Sequence, residues 1–198
     1  IYNFKQLIKD YYLPIQDNSD CMTIPQLYIK LVKTQSDIKE FTYLFTEKIK
    51  GEYAFVLYEY NNKNELINLV VGRDEIGVRP LYYHKPSSIA SDLVFSSEIK
   101  GLEFFNEMVQ EYDPGTIMNV SFVNNNIIYY DFKTVYNTSE MIHDNDTLFE
   151  EGTLLYHIRK SVTDSVERRL TADRPIAFLL SGGVDSSLVA GISARLLN

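Results

Sequence analysis

A single cysteine, Cys21, occurs in 198 residues. That excludes an internal disulfide and a cysteine-rich metal centre, and it suits a reducing compartment, so a cytoplasmic protein is expected. Histidines are scarce as well, and His84, His143 and His157 have no metal-ligand spacing. No apolar stretch approaches the roughly 18 residues of a membrane helix, and the first residues lack the charged-then-apolar pattern of a secretory signal. Positive charge is in deficit: the net charge is −8 and the pI about 4.9. Lysines such as Lys5, Lys9, Lys30 and Lys33 read as solvated helix faces, not a basic stripe. Neither nucleic acid nor a membrane is therefore expected as a partner. An apolar share of 45%, with 13% aromatic residues, is that of a chain that builds a core, so disorder is not the default.

The most informative segment is Ser181-Gly182-Gly183-Val184-Asp185-Ser186-Ser187, between the apolar run Pro175 to Leu180 and the helical run Leu188 to Leu197. A strand that ends in Ser-Gly-Gly and turns at once into a helix gathers free backbone N–H groups and a helix N-terminus in one small space, which suits a phosphate. Glycine has no Cβ, so the loop can take unusual dihedrals and a ligand can approach the backbone. Asp185, Ser186 and Ser187 are candidate caps, and the hydroxyls can donate to phosphate oxygens. The lysine of the G-x-x-x-x-G-K-[ST] pattern is missing, so this is not that γ-phosphate cradle.

Along the chain, Phe4, Leu7, Ile8 and Tyr11 predict a helix capped by Asn3. Ile24, Leu27, Tyr28, Leu31 and Val32 predict a second, with Pro25 tolerated only in the first turn. Ile38, Phe41, Leu44, Phe45 and Ile49 form a third helical stripe. Short β-branched and aromatic runs follow at 52–60, 65–72, 81–85, 93–97, 116–123 and 127–132, with hairpin turns at Asn61 to Asn64 and Asn124 to Asn126. Tyr53, Phe55, Tyr82 and Tyr83 read as core. Residues 136–146 turn polar and read as a linker. A long helix from Thr147 carries Leu154, Leu155, Ile158, Val162, Val166 and Leu170 on one side, and a strand is expected at Ile176 to Leu180. The expected fold is α+β, then the opening of an α/β domain, with boundaries at 1–135 and 147–198.

The loop resembles the SGGxDS pyrophosphate loop of ATP pyrophosphatases, which split ATP between the α and β phosphates. Upstream, Ile1-Tyr2-Asn3, Ser19-Asp20-Cys21, Gly51-Glu52-Tyr53-Ala54-Phe55, Gly72-Arg73-Asp74-x-x-Gly77-x-Arg79-Pro80-Leu81-Tyr82, Ser97-Glu98-Ile99-Lys100 and Pro114-Gly115 follow in order. Together they resemble the glutamine-hydrolysing asparagine synthetase family over essentially the whole chain. That resemblance implies part of an N-terminal-nucleophile glutaminase domain, an α/β/β/α sandwich. The start of an adenine-nucleotide α-hydrolase-like α/β domain follows it. Glutamine, aspartate and ATP, with Mg²⁺, are the implied substrates and cofactors; a homodimer is left open. Glutamine hydrolysis would supply ammonia, and aspartate would react through a β-aspartyl-adenylate.

Carried over residue by residue, the resemblance makes Asp20 the carboxylate that holds the α-amino group of glutamine. It makes Leu180, Ser181, Gly182, Gly183, Asp185, Ser186 and Ser187 the ATP loop, with Asp185 also approaching Mg²⁺. Arg73 and Asp74 are expected to form an ion pair that fixes the turn before Pro80. Glu98 and Lys100 fall where the family packs its two domains. Two features depart from the pattern. Met22 stands where the family usually has glutamate, with Pro25 in the following helix. The family's nucleophilic cysteine, glutamine-binding arginine loop and Asn-Gly-Glu precede the position of Ile1, so no catalytic residue is assigned within this chain. Cys21 is internal and has no free α-amino group of its own to act as base. The expectation is a piece of a longer enzyme, inactive as these 198 residues alone. The alternatives are a β-lactam-synthetase-like ATP-dependent cyclase and a non-catalytic binding module that keeps the fold.

Overall fold

In a computed structural model, residues 1–15, 19–34, 42, 47–84, 93–105, 109–124, 126–134, 151–172 and 174–198 are described. The chain forms two compact units, Asn3–Met141 with Ile1, and Ile142–Asn198 with Tyr2.

In the first unit α1 spans Phe4–Tyr11 and buries Phe4 and Leu7. Tyr12 closes it in the left-handed conformation, and the Leu13 N–H returns to the Ile8 carbonyl at 3.0 Å. Asn3 sits at the N-cap position, yet its side chain makes no cap bond. Instead its amide donates to the Lys48 carbonyl at 2.7 Å and accepts the Lys50 N–H at 2.9 Å, tying the helix start to a distant segment. Helix α2, Thr23–Thr34, holds Pro25 in its first turn, where no intrahelical donor is lost.

Strands β1 (Ala54–Tyr60), β2 (Leu66–Arg73), β6 (Thr116–Val123) and β7 (Asn126–Thr134) form one antiparallel sheet in the order β1-β2-β6-β7. Strands β3 (Tyr82–His84), β4 (Val94–Ser96) and β5 (Val109–Glu111) form a second, in the order β4-β3-β5, with a 3₁₀ helix at Ile99–Phe105. Side chains alternate across a strand, and the first sheet uses both faces. Val70 and Ile117 pack with Leu7, Leu27, Tyr28, Leu31 and Ile49 on the helix side. Leu69, Val71, Met118 and Val120 pack with Leu81, Tyr83 and Tyr112 on the other. The layers are therefore helix, sheet, sheet, the mixed antiparallel architecture expected of the partial sandwich. Most of the third expected helix, Ile38 to Ile49, and the linker 136–146 lie outside the described residues.

The second unit contains α3, Glu151–Arg169, and α4, Val184–Leu197. The strand expected at Ile176 to Leu180 is not formed: Pro175–Leu180 carries no ladder. A strand needs a neighbour to take its N–H and C=O groups, and among the described residues of this unit no strand offers one. The apolar stripe of α3 is present but largely uncovered. Val166 is buried, whereas Leu154, Leu155 and Ile158 are exposed.

Candidate functional site

Two places gather the chemistry that the sequence pointed to. The first is a cleft of about 920 Å³ in the first unit, bordered by Asp20 and Cys21 before α2, by Tyr53 and β1, and by Arg79, Pro80 and Ser97. The Asp20 carbonyl accepts the Thr23 N–H at 3.1 Å, so the turn that starts α2 fixes the position of Asp20. Its Oδ2 accepts a 2.6 Å hydrogen bond from the α-ammonium of Ile1, and the Cys21 thiol donates to Oδ1 at 3.6 Å. The hydrogen bond from that ammonium, more than any other contact, holds the Asp20 carboxyl below its ordinary value.

Asp74 and Arg73 lie behind the lining residues Tyr53 and Arg79 and hold them. Both are buried, at 3% and 4% exposure, but they are not paired with each other. Consecutive side chains at the end of β2 leave on opposite faces, which separates the two groups. Asp74 Oδ2 accepts the N–H groups of Tyr53 at 3.2 Å and Arg79 at 3.1 Å. Its Oδ1 accepts those of Ile76 at 3.2 Å and Val78 at 2.9 Å. Arg73 donates to the carbonyls of Arg79 and Gly77, each at 2.8 Å, and to that of Tyr112, and it forms an ion pair with Glu111 at 2.8 Å. The expected Arg73–Asp74 ion pair is thus replaced by two separate clasps, one taking N–H groups and one taking carbonyls. The signal in the sequence was the Arg-Asp-x-x-Gly spacing. It marked the turn, but not that the turn walls a cleft. The ion pair between Glu98 and Lys100 lies on the surface.

The second place is the loop Leu180 to Ser187. Gly182 has φ +82° and Gly183 is the N-cap of α4, with no side-chain cap bond. Asp185, Ser186 and Ser187 therefore do not act as caps. The Ser186 hydroxyl donates to the Gly183 carbonyl at 3.1 Å and lies 3.1 Å from the Ser181 hydroxyl. The first helical N–H with a protein acceptor is that of Ser187, bonded to the Gly183 carbonyl at 3.2 Å. The N–H groups of Val184, Asp185 and Ser186 have no acceptor among the described residues and point out of the helix start. A Cβ built at Gly182 would meet nothing within 4 Å. An open, donor-lined helix start with two hydroxyls beside it fits a polyphosphate. Among the described residues no three His, Cys, Asp or Glu side chains cluster as a metal site, so a cation here would rest on Asp185 and on the phosphate itself.

The model of the glutamine amidotransferase domain matches residues 1–104, more than half of the chain, and that of asparagine synthase matches residues 157–198. The chain belongs to the family that joins these two domains. The resemblance seen in the sequence is borne out. A probable glutamine-hydrolysing asparagine synthetase of Acanthamoeba polyphaga mimivirus is 30% identical over all of this chain and 35% of its own length. The glutamine-hydrolysing asparagine synthetase of Sandersonia aurantiaca is 34% identical over all of this chain and 33% of its own. The chain thus spans about a third of these relatives. A solved glutamine phosphoribosylpyrophosphate amidotransferase from B. subtilis covers 98% of this chain and 42% of its own, at 15% identity and a TM-score of 0.49. Among the described residues no helix is long and apolar enough to cross a membrane.

Proposed function

We propose that this chain contributes to an enzyme that makes asparagine from aspartate, ATP and glutamine. The observation that carries the reading is the order on one chain of a cleft with the Asp20 carboxylate in its lining and a Ser-Gly-Gly helix start with free N–H groups. Asp20 orients glutamine by its α-ammonium, a charge-assisted contact. The amide is hydrolysed by a nucleophile that this chain does not supply, since Cys21 is internal. At Ser181 to Ser187, backbone N–H groups and hydroxyls hold the β and γ phosphates while an aspartate carboxylate oxygen attacks the α-phosphorus and pyrophosphate leaves. Ammonia then displaces AMP and forms the amide; keeping the two steps on one protein protects ammonia from protonation in water. Mg²⁺, held by Asp185 and phosphate oxygens, would neutralise charge on the leaving pyrophosphate.

The test uses the full-length protein that contains this chain. Asp185→Ala should abolish aspartate-dependent pyrophosphate release and leave glutamine hydrolysis intact. Equal loss of both contradicts the role given to the loop, and a wild-type protein that forms no asparagine contradicts the function.

A further inference from the structure

On the reading that the Asp20 cleft takes glutamine, we infer that Asp74 is a positioning residue for that site. A turn-forming aspartate needs only the N–H groups next to it in sequence, and Ile76, Val78 and Arg79 supply those. Asp74 also reaches 21 residues back to the Tyr53 N–H, and its own N–H returns to the Tyr53 carbonyl at 2.8 Å. One buried carboxylate therefore sets the spacing between two parts of the cleft wall, Tyr53 at the entry to β1 and Arg79 at the end of the loop. Its backbone carbonyl accepts the N–H groups of Gly77 at 3.0 Å and Gly115 at 2.9 Å, which ties the loop to the residue before β6. Arg73 closes the same loop through carbonyls, and its charge partner Glu111 lies on the exposed side, away from the wall. Asp74 touches no substrate; it fixes the spacing of Tyr53 and Arg79, which line the same cleft as Asp20.

The experiment uses the full-length protein, with glutamine hydrolysis and ammonia-dependent asparagine formation measured side by side. In Asp74→Asn two of the four N–H groups lose their acceptor, so the glutamine KM should rise roughly tenfold while kcat stays within about twofold. Ammonia-dependent synthesis should be unchanged, and the retained kcat for glutamine shows that the first unit keeps its fold. Glu111→Gln, which touches only the far side of Arg73, should leave the glutamine KM where it was. If Asp74→Asn fails to fold, Asp74→Glu keeps the charge and both oxygens but displaces them by a methylene, and the same rise is expected. An unchanged KM in the folded Asp74 variant, or an equal rise in Glu111→Gln, overturns the inference and leaves the function standing. A wild-type protein that releases no ammonia from glutamine overturns the glutamine reading itself.

Discussion

Gly182 and Gly183 stand side by side and have different reasons to be glycine. Gly182 sits at φ +82° with open space where a Cβ would go, so the constraint there is the backbone alone. Gly182→Ala should cost about 1–2 kcal/mol in denaturant melts, the usual penalty for an L-residue in the left-handed region. Gly183 has an ordinary extended backbone and its added Cβ would meet only Ser181 Oγ at 3.6 Å. Gly183→Ala should therefore change stability by less than about 0.5 kcal/mol, yet in the full-length protein slow pyrophosphate release by crowding the approach to the free N–H groups. Loss of stability in both, with release unaffected, would mean that the loop is only a turn. Asp20 gives a second prediction at this scale. Its folded pKa is depressed, so its contribution to stability is complete above the ordinary value of 3.8 and is lost as pH falls through the lower folded value. A carboxyl carbon titration by NMR on this chain should give a midpoint below 3.8. Acetylating the Ile1 amino group should move the midpoint back up, because that ammonium is the main cause; no movement would contradict it.

Between elements, α2 is tied to the first sheet by a polar chain laid over the apolar core. The Tyr28 hydroxyl donates to Glu59 at 2.7 Å, Asn68 donates to the same carboxylate oxygen at 2.7 Å, and Ser121 donates to Asn68 at 2.9 Å. Burial first, and then the Glu59 carboxylate, push the Tyr28 phenol well above its ordinary value of 10. A raised phenol stabilises the fold below 10, and that stabilisation is lost as pH rises from there toward the folded value. Tyr28→Phe should lose about 1.5 kcal/mol at pH 8, a hydrogen bond to a charged group. The variant should also show a smaller fall in stability between mild and strong alkali than the wild type. An identical alkaline fall in both would show that Tyr28 does not titrate with unfolding. Elements such as β6, Thr116–Val123, and the hairpin from Asn61 were legible in the sequence because composition and turn residues are local signals. What was not legible depended on distant partners. Asn3 looked like a cap but is used 45 and 47 residues away. Arg73 and Asp74 looked like a pair, although their partners lie across two sheets and a loop. The run at Ile176 to Leu180 is composed like a strand, and no ladder among the described residues completes it. The candidate site followed the same rule: Asp20 and the glycine loop were readable as contiguous motifs, and the Tyr53–Arg79 wall was not.

At the scale of the whole molecule the two units differ in how far they satisfy their own surfaces. The first has two apolar clusters, one on each face of its larger sheet. The second leaves Leu179 at 97%, Leu180 at 64% and Leu155 at 58% exposure. In hydrogen exchange on this chain, amides of β2 and β6 should be protected, while those of 176–180, with no ladder, should exchange at nearly the rate of an unstructured peptide. Protection at 176–180 would require a strand partner that the described residues do not provide. The same contrast governs activity. Glutamine hydrolysis needs a nucleophile with a base beside it, and the only cysteine in these 198 residues is internal, next to Asp20 and not next to a free amine of its own. Adenylation needs a place for aspartate as well as for phosphate, and Ser181 to Ser187 supplies donors for phosphate alone. The 198-residue chain should therefore release neither ammonia from glutamine nor pyrophosphate from ATP and aspartate, as followed by coupled assays at enzyme concentrations high enough to see a single turnover. Measurable ammonia release would mean that Cys21 or a water in the Asp20 cleft performs the hydrolysis, and the division of labour between the two sites would have to be redrawn.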